Sequence, residues 1–129
     1  MDAFGHVNHA SMVTLLEEAR IPLLFHEASG AGLTGFAAGM VVVSLSVDYH
    51  APVVAGREIR VEVNLRELKF ASVTLGYTVH SGPSEADAVA VTAKTVLAPY
   101  DVGSGRPRRL TDPERAFLAE RLGMAENDE

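Results

Sequence analysis

The chain has no cysteine and no tryptophan. Without cysteine it forms no disulfide, no thiolate metal site and no cysteine nucleophile, and a reducing, cytoplasmic location is expected. Cationic charge is also short: 11 Lys and Arg against 17 Asp and Glu leave a formal net charge of −6. No nucleic-acid partner is expected, because such binding relies on a basic footprint. No apolar run is long enough to cross a bilayer and no charged-then-apolar leader opens the sequence, so no membrane partner is expected either.

At 129 residues and 47% hydrophobic content, the chain is one domain with room for a real core. It contains no internal repeat and no linker long enough to split it. Residues 1–123 are expected to form the domain, and the acidic residues 124–129 to be disordered.

The most informative stretch is the first twenty residues, MDAFGHVNHASMVTLLEEAR. A carboxylate at Asp2, a glycine at Gly5, and His6 and Asn8 precede an apolar run. Asn8 is placed as the N-cap of a helix, with its side-chain oxygen accepting from Ala10 or Ser11 N–H. Val7 and Met12 then form a hydrophobic staple. The run Met12, Val13, Leu15, Leu16, Ala19, Leu23, Leu24, Phe25 leaves a narrow polar stripe, which predicts burial on most of the circumference. Pro22 cannot donate to the Glu18 carbonyl and predicts a kink.

Period-2 alternation predicts strands beyond it. Val43, Leu45, Val47 and Tyr49 share one face of the first. Ile59, Val61, Val63 and Leu65 alternate with Glu58, Arg60, Glu62, Asn64 and Arg66 in the second. Val73, Leu75, Tyr77 and Val79 define the third, which Ser81-Gly82-Pro83-Ser84 turns into the fourth, about Ala88 to Ala98. The last has apolar residues on both faces and is placed inside the sheet or at a subunit contact. The segments Ser29–Gly32, Gly35–Gly39, Val54-Ala55-Gly56 and Gly103–Pro107 are expected to be turns or loops. Thr111 and Glu114 form a capping box for a terminal helix stopped by Gly123.

Asp2-Ala3-Phe4-Gly5-His6-Val7-Asn8, followed by Glu17-Glu18-Ala19-Arg20, resembles the D-x-x-G-H-V-N-N … E-E-A-R signature of hotdog-fold acyl-CoA thioesterases of the 4-hydroxybenzoyl-CoA thioesterase type. Asp48–Val53, Gly56-Arg57-Glu58 and Gly105–Leu110 agree with it. His9 stands where the family usually has a second Asn, and Met12 where it often has Tyr. The family's chains normally carry a strand ahead of the motif, so the expectation is either a clipped or misassigned start or a missing first strand.

The resemblance implies an α+β hotdog fold: a long central helix wrapped by a curved antiparallel sheet, plus a short C-terminal helix. It implies hydrolysis of an acyl-CoA thioester to the free acid and coenzyme A, with Asp2 as nucleophile or general base and the His9 backbone N–H as oxyanion donor. His6 and Asn8 are expected to hold water or shape the loop, although each also has a structural account, Asn8 as a cap. Lys69, Ser72 and Arg57 are candidate coenzyme A contacts. Glu17 is either half of an i, i+3 pair with Arg20 or a second carboxylate near the thioester. His6, His9 and Asp2 lack the spacing of a metal site, and neither catalytic role requires a cofactor.

Side-by-side self-association to a dimer or tetramer would cover the edge strand left by such a sheet. A non-catalytic acyl-CoA sensor on the same fold is the alternative, and an acyl-thioester dehydratase a third. With 6% aromatics, the acyl group is left open between aromatic, short and long.

Overall fold

The structure, a computed structural model, describes residues 9–51, 53, 58–81 and 89–123. Helix α1 (His9–Ile21) opens the described chain, one residue after the expected cap. Asn8 and Val7, the expected cap and staple, lie outside the described residues, as do 54–57, the turn residues 82–84 and the tail 124–129.

Met12 and Leu16, one helical turn apart, are 0% and 1% exposed. Burying two such side chains stabilises the packed state by roughly 1.5–3 kcal/mol each. The expectation of burial around most of the helix is corrected. Thr14, Glu17 and Glu18 are exposed, and Val13, Leu15 and Ile21 are only half-buried. A single sheet layer covers one flank of the helix, and an apolar sequence cannot bury a flank that nothing covers.

At Pro22 the α-helical ladder gives way, as expected of a residue without an N–H. Residues Pro22–Glu27 continue in a π-helical turn, and Ala28 N–H reaches back five residues to the Leu23 carbonyl. The wider turn keeps Leu23 and Leu24 buried. A further turn, α2 (Ala28–Gly30), ends at Gly32, whose φ of +86° suits glycine. The segment expected as a small-residue loop is instead a helical turn, α3 (Gly35–Ala38), that drives Phe36 into the core at 1% exposure.

The sheet comprises β1 (Met40–Tyr49), β2 (Ile59–Leu68), β3 (Val73–Ser81), β4 (Val89–Asp101) and β5 (Arg106–Pro107). The order is β1-β4-β3-β2, with neighbours antiparallel and β5 beside β4. As expected, β4 is internal. The Gly103–Pro107 loop is corrected in its second half: a turn containing Gly105 at φ +71° returns Arg106 and Pro107 into pairing with Asp101 and Tyr100.

The first strand also departs from its expected pattern. A bulge between Val42 and Ser44 breaks the alternation: Val42 pairs with Leu97, while Ser44 pairs with Val96 and Leu45 with Thr95. The face shared with Leu97 and Thr95 therefore carries Val42, Leu45, Val47 and Tyr49. Val43 is the extra residue and is 61% exposed.

Helix α4 (Asp112–Leu122) closes the fold through the expected capping box. Glu114 N–H donates to Thr111 Oγ1 at 3.1 Å, and Thr111 N–H donates to Glu114 Oε1 at 2.9 Å. Gly123, at φ +71°, ends it. Leu118 and Leu110 join the core, which lies between α1 and the inner face of β2, β3 and β4.

Candidate functional site

The Tyr49 end of β1 meets the start of the described part of α1, where His9 is the first described residue. Its imidazole Nδ1 lies 2.8 Å from Tyr49 Oη, with the rings edge to face at 6.0 Å between centroids. Burial pushes the Tyr49 phenol up from its ordinary value. It is therefore protonated at neutral pH and able to donate to the ring. The contact ties the start of the helix to the edge of the sheet.

One turn on from His9, a groove runs along α1. Val13, Glu17 and Arg20 form one wall, with Val42 and Leu45 of β1 opposite and Thr95 of β4 as the floor; this cleft encloses about 190 Å³. It adjoins a second cleft of about 160 Å³ that shares Glu17, Arg20 and Val42 and reaches Leu24, Phe25 and Leu97. The bulge in β1 is what brings Val42 into this wall.

Arg20 donates to Tyr77 Oη at 3.3 Å. Among the described residues neither member of the expected Glu17–Arg20 pair ion-pairs with the other, because the guanidinium turns down to the buried phenol. Glu17 is exposed at the rim of the groove, not a buried carboxylate.

The sheet's outer face carries a separate polar depression of about 290 Å³. There Gly76, having no side chain, lets Asn64 and Arg66 fold over β3.

Asp2, His6, Asn8 and Arg57 lie outside the described residues. Lys69 and Ser72 sit in the β2–β3 turn, closed by Lys69 N–H donating to the Ser72 carbonyl at 2.9 Å. Lys69 Nζ is 3.7 Å from Glu67 Oε2. This turn is not near His9. Tyr49 pairs with Val91 and Val91 with Val79, whereas the turn adjoins Val73, which pairs with Leu97. Six residues of strand, about 20 Å at the usual rise, separate the two places within one chain.

Tyr49 and Thr95 are site residues that sequence reasoning did not single out. Tyr49 fell in a strand with no sign of the His9 contact. Thr95 did give a signal, a hydroxyl within the apolar row Val91, Ala93, Leu97. Among the described residues no group of three or more His, Asp or Glu is placed to hold a metal, and no helix is long and apolar enough to cross a membrane.

A family model described as the thioesterase-like superfamily matches residues 1–122. No curated protein matches the sequence. Among solved structures, a predicted thioesterase from Bacillus stearothermophilus is 20% identical with a TM-score of 0.80, over 97% of this chain and 90% of that one. A thioesterase from Thermus thermophilus, complexed with coenzyme A and Zn, is 26% identical with a TM-score of 0.79, over 97% and 88%. A probable thioesterase from Escherichia coli, YbaW, is 23% identical with a TM-score of 0.78, over 95% and 90%. The α+β hotdog architecture is common to all of these and to the chain described above.

Proposed function

The chain belongs to the thioesterase-like superfamily, and from that premise we propose that it hydrolyses an acyl-CoA thioester to the free acid and coenzyme A. The observation that carries the reading is the groove along α1, which begins at Val13, one turn on from His9 at the start of the described helix. An acyl chain lying in that groove presents its thioester carbonyl to the backbone N–H of His9, the oxyanion donor that the motif implies. That donor then meets the oxyanion as it forms. The relative solved with coenzyme A supports the choice of thiol.

Asp2, seven residues before His9 in the sequence, supplies the attack. A carboxylate with an ordinary pKa of about 3.9 is ionised at neutral pH. It either takes a proton from a water that adds to the carbonyl carbon, or adds to that carbon itself and forms a mixed anhydride that water then hydrolyses. In both routes the carbon–sulfur bond breaks, coenzyme A leaves as thiolate and is protonated, and water supplies the oxygen of the released acid. His6 and Asn8 are assigned to holding water or shaping the loop, Asn8 also as a cap.

The far position of Lys69 and Ser72 has a natural resolution in self-association. β1 is an edge strand with Val41, Val42, Val43 and Tyr49 exposed at 46, 51, 61 and 48%, an edge of the kind that pairs with another chain. A second copy paired antiparallel along β1 under two-fold symmetry brings its own 69–72 turn toward the His9 end. The same pairing covers the open side of the groove.

Incubation with acyl-CoA and a thiol reagent tests the proposal. Catalytic thiol release supports a hydrolase, whereas saturable acyl-CoA binding with no release over hours identifies a sensor instead.

A further inference from the structure

Thr95 is the residue of the groove that hydrolysis alone does not explain. It is 1% exposed, in the middle of β4 between Leu45 of β1 and Leu75 of β3. Its side chain shares the helix-facing row with Val91, Ala93 and Leu97. Among the described residues its Oγ1 has no hydrogen-bond partner. Valine has the same shape without the polar atom, so apolar packing does not call for threonine here.

Thr95 is also one of the residues that line the cleft along α1. At about 190 Å³ the space far exceeds the share of one water, roughly 30 Å³. Val13, Val42 and Leu45 offer apolar wall to a hydrocarbon chain, and Glu17 and Arg20 line the same cleft. Glu17 is exposed at the rim and Arg20 donates to Tyr77, so Thr95 is the buried polar side chain there whose hydroxyl has no partner among the described residues. One such group can fix the position of a polar atom.

We propose that Thr95 selects acyl chains bearing an oxygen substituent, hydroxyl or oxo, remote from the thioester. The inference rests on the groove being the acyl site of the hydrolase described above. Remoteness follows from the register. Thr95 lies four residues along β4 from Val91, whose partner Tyr49 holds His9, and four residues of strand span about 13 Å. The substituent therefore meets Thr95 several carbons beyond the carbonyl held at the helix start. A threonine hydroxyl both donates and accepts, so it serves a hydroxyl and an oxo group alike.

The test uses decanoyl-CoA and a series of hydroxydecanoyl-CoAs with the hydroxyl stepped along the chain. The wild-type protein is expected to favour a distal hydroxyl isomer over decanoyl-CoA by about tenfold in kcat/KM, the scale of one net hydrogen bond. Thr95→Val should bring that ratio close to one, with a melting temperature no lower than wild type. Thr95→Ser, which keeps the hydroxyl, should retain the preference. A wild-type preference for decanoyl-CoA, or the same ratio in wild type and Thr95→Val, overturns the inference.

Calorimetric binding of the free hydroxydecanoic and decanoic acids measures the same ratio without turnover. If no thioester is cleaved, the hydrolase reading fails. The role of Thr95 is then decided by whether the binding preference vanishes in Thr95→Val.

Discussion

Removing the Glu114 side chain breaks two things at once. The carboxylate, 3% exposed, accepts from Arg108 Nη1 at 2.9 Å and Nη2 at 3.0 Å. It also accepts from the Thr111 N–H at the cap of α4. Glu114→Ala leaves a half-buried guanidinium without its carboxylate, and breaking a buried pair in this way costs about 3 kcal/mol at the lower end of the usual range. That lower end applies because the Arg108 side chain keeps 24% exposure.

For a domain of this size about 4 °C of melting temperature goes with each kcal/mol, so thermal unfolding should drop by about 12 °C. Glu114→Gln keeps one oxygen for the Thr111 N–H and Arg108 Nη1 but sets an amide N–H against Arg108 Nη2; it should lose less than Glu114→Ala, about 1–2 kcal/mol. A double-mutant cycle with Arg108→Ala should return a coupling of about 2 kcal/mol.

The pH dependence has a definite sign. Burial pushes the Glu114 carboxyl up, but hydrogen bonds from Arg108 and Thr111 and the nearby positive charge outweigh it. The group is therefore held below the ordinary carboxylate range. Its ionised form thus stabilises the fold at every pH above the unfolded value of about 4.3, and the contribution is lost as pH falls through the native value. Denaturant melts from neutral to acid pH should show this loss in wild type and a shallower one in Glu114→Gln. Additive single mutants, or equal acid sensitivity in both proteins, would refute the reasoning.

Leu16→Ala removes a fully buried side chain between α1 and the sheet and should destabilise by about 2–5 kcal/mol in urea melts, with cavity and transfer effects adding. Thr111→Ala deletes the acceptor for Glu114 N–H and should cost about 1 kcal/mol, read from the same melts. Val42→Lys puts a charge on the exposed edge of β1 and should shift the protein toward monomer in light scattering while leaving its helical circular dichroism intact.

The alternation in Ile59–Arg66 and Val73–His80 made β2 and β3 legible, because one buried and one polar face leave a period of two in the residues. The capping box at Thr111 and Glu114 was equally legible, since both partners lie within one turn. What escaped depended on other elements. The bulge at Val43 leaves no mark in a run of three valines, any of which can face inward. Phe36 gives a helical turn only because the core has a place for it. The over-extended burial of α1 came from counting apolar residues without knowing that the sheet covers one flank.

The site divides in the same way. The helix that opens the described residues at His9 was legible in the apolar run behind it, whereas the cap expected at Asn8 lies outside those residues. The Tyr49 contact and the placement of Thr95 beneath Glu17 and Arg20 required the strand register. Lys69 and Ser72 were grouped with the site by resemblance, and the register sets them at the opposite end of the sheet.

The central claim is that a carboxylate just ahead of α1 drives thioester cleavage at the helix start. Turnover of acyl-CoA by Asp2→Asn, with its melting temperature beside that of wild type, measures it directly. The account predicts a fall in kcat of about 10²-fold or more, as for loss of an essential base or nucleophile, with thermal stability near wild type. Near-normal kcat in a folded Asp2→Asn protein would contradict it.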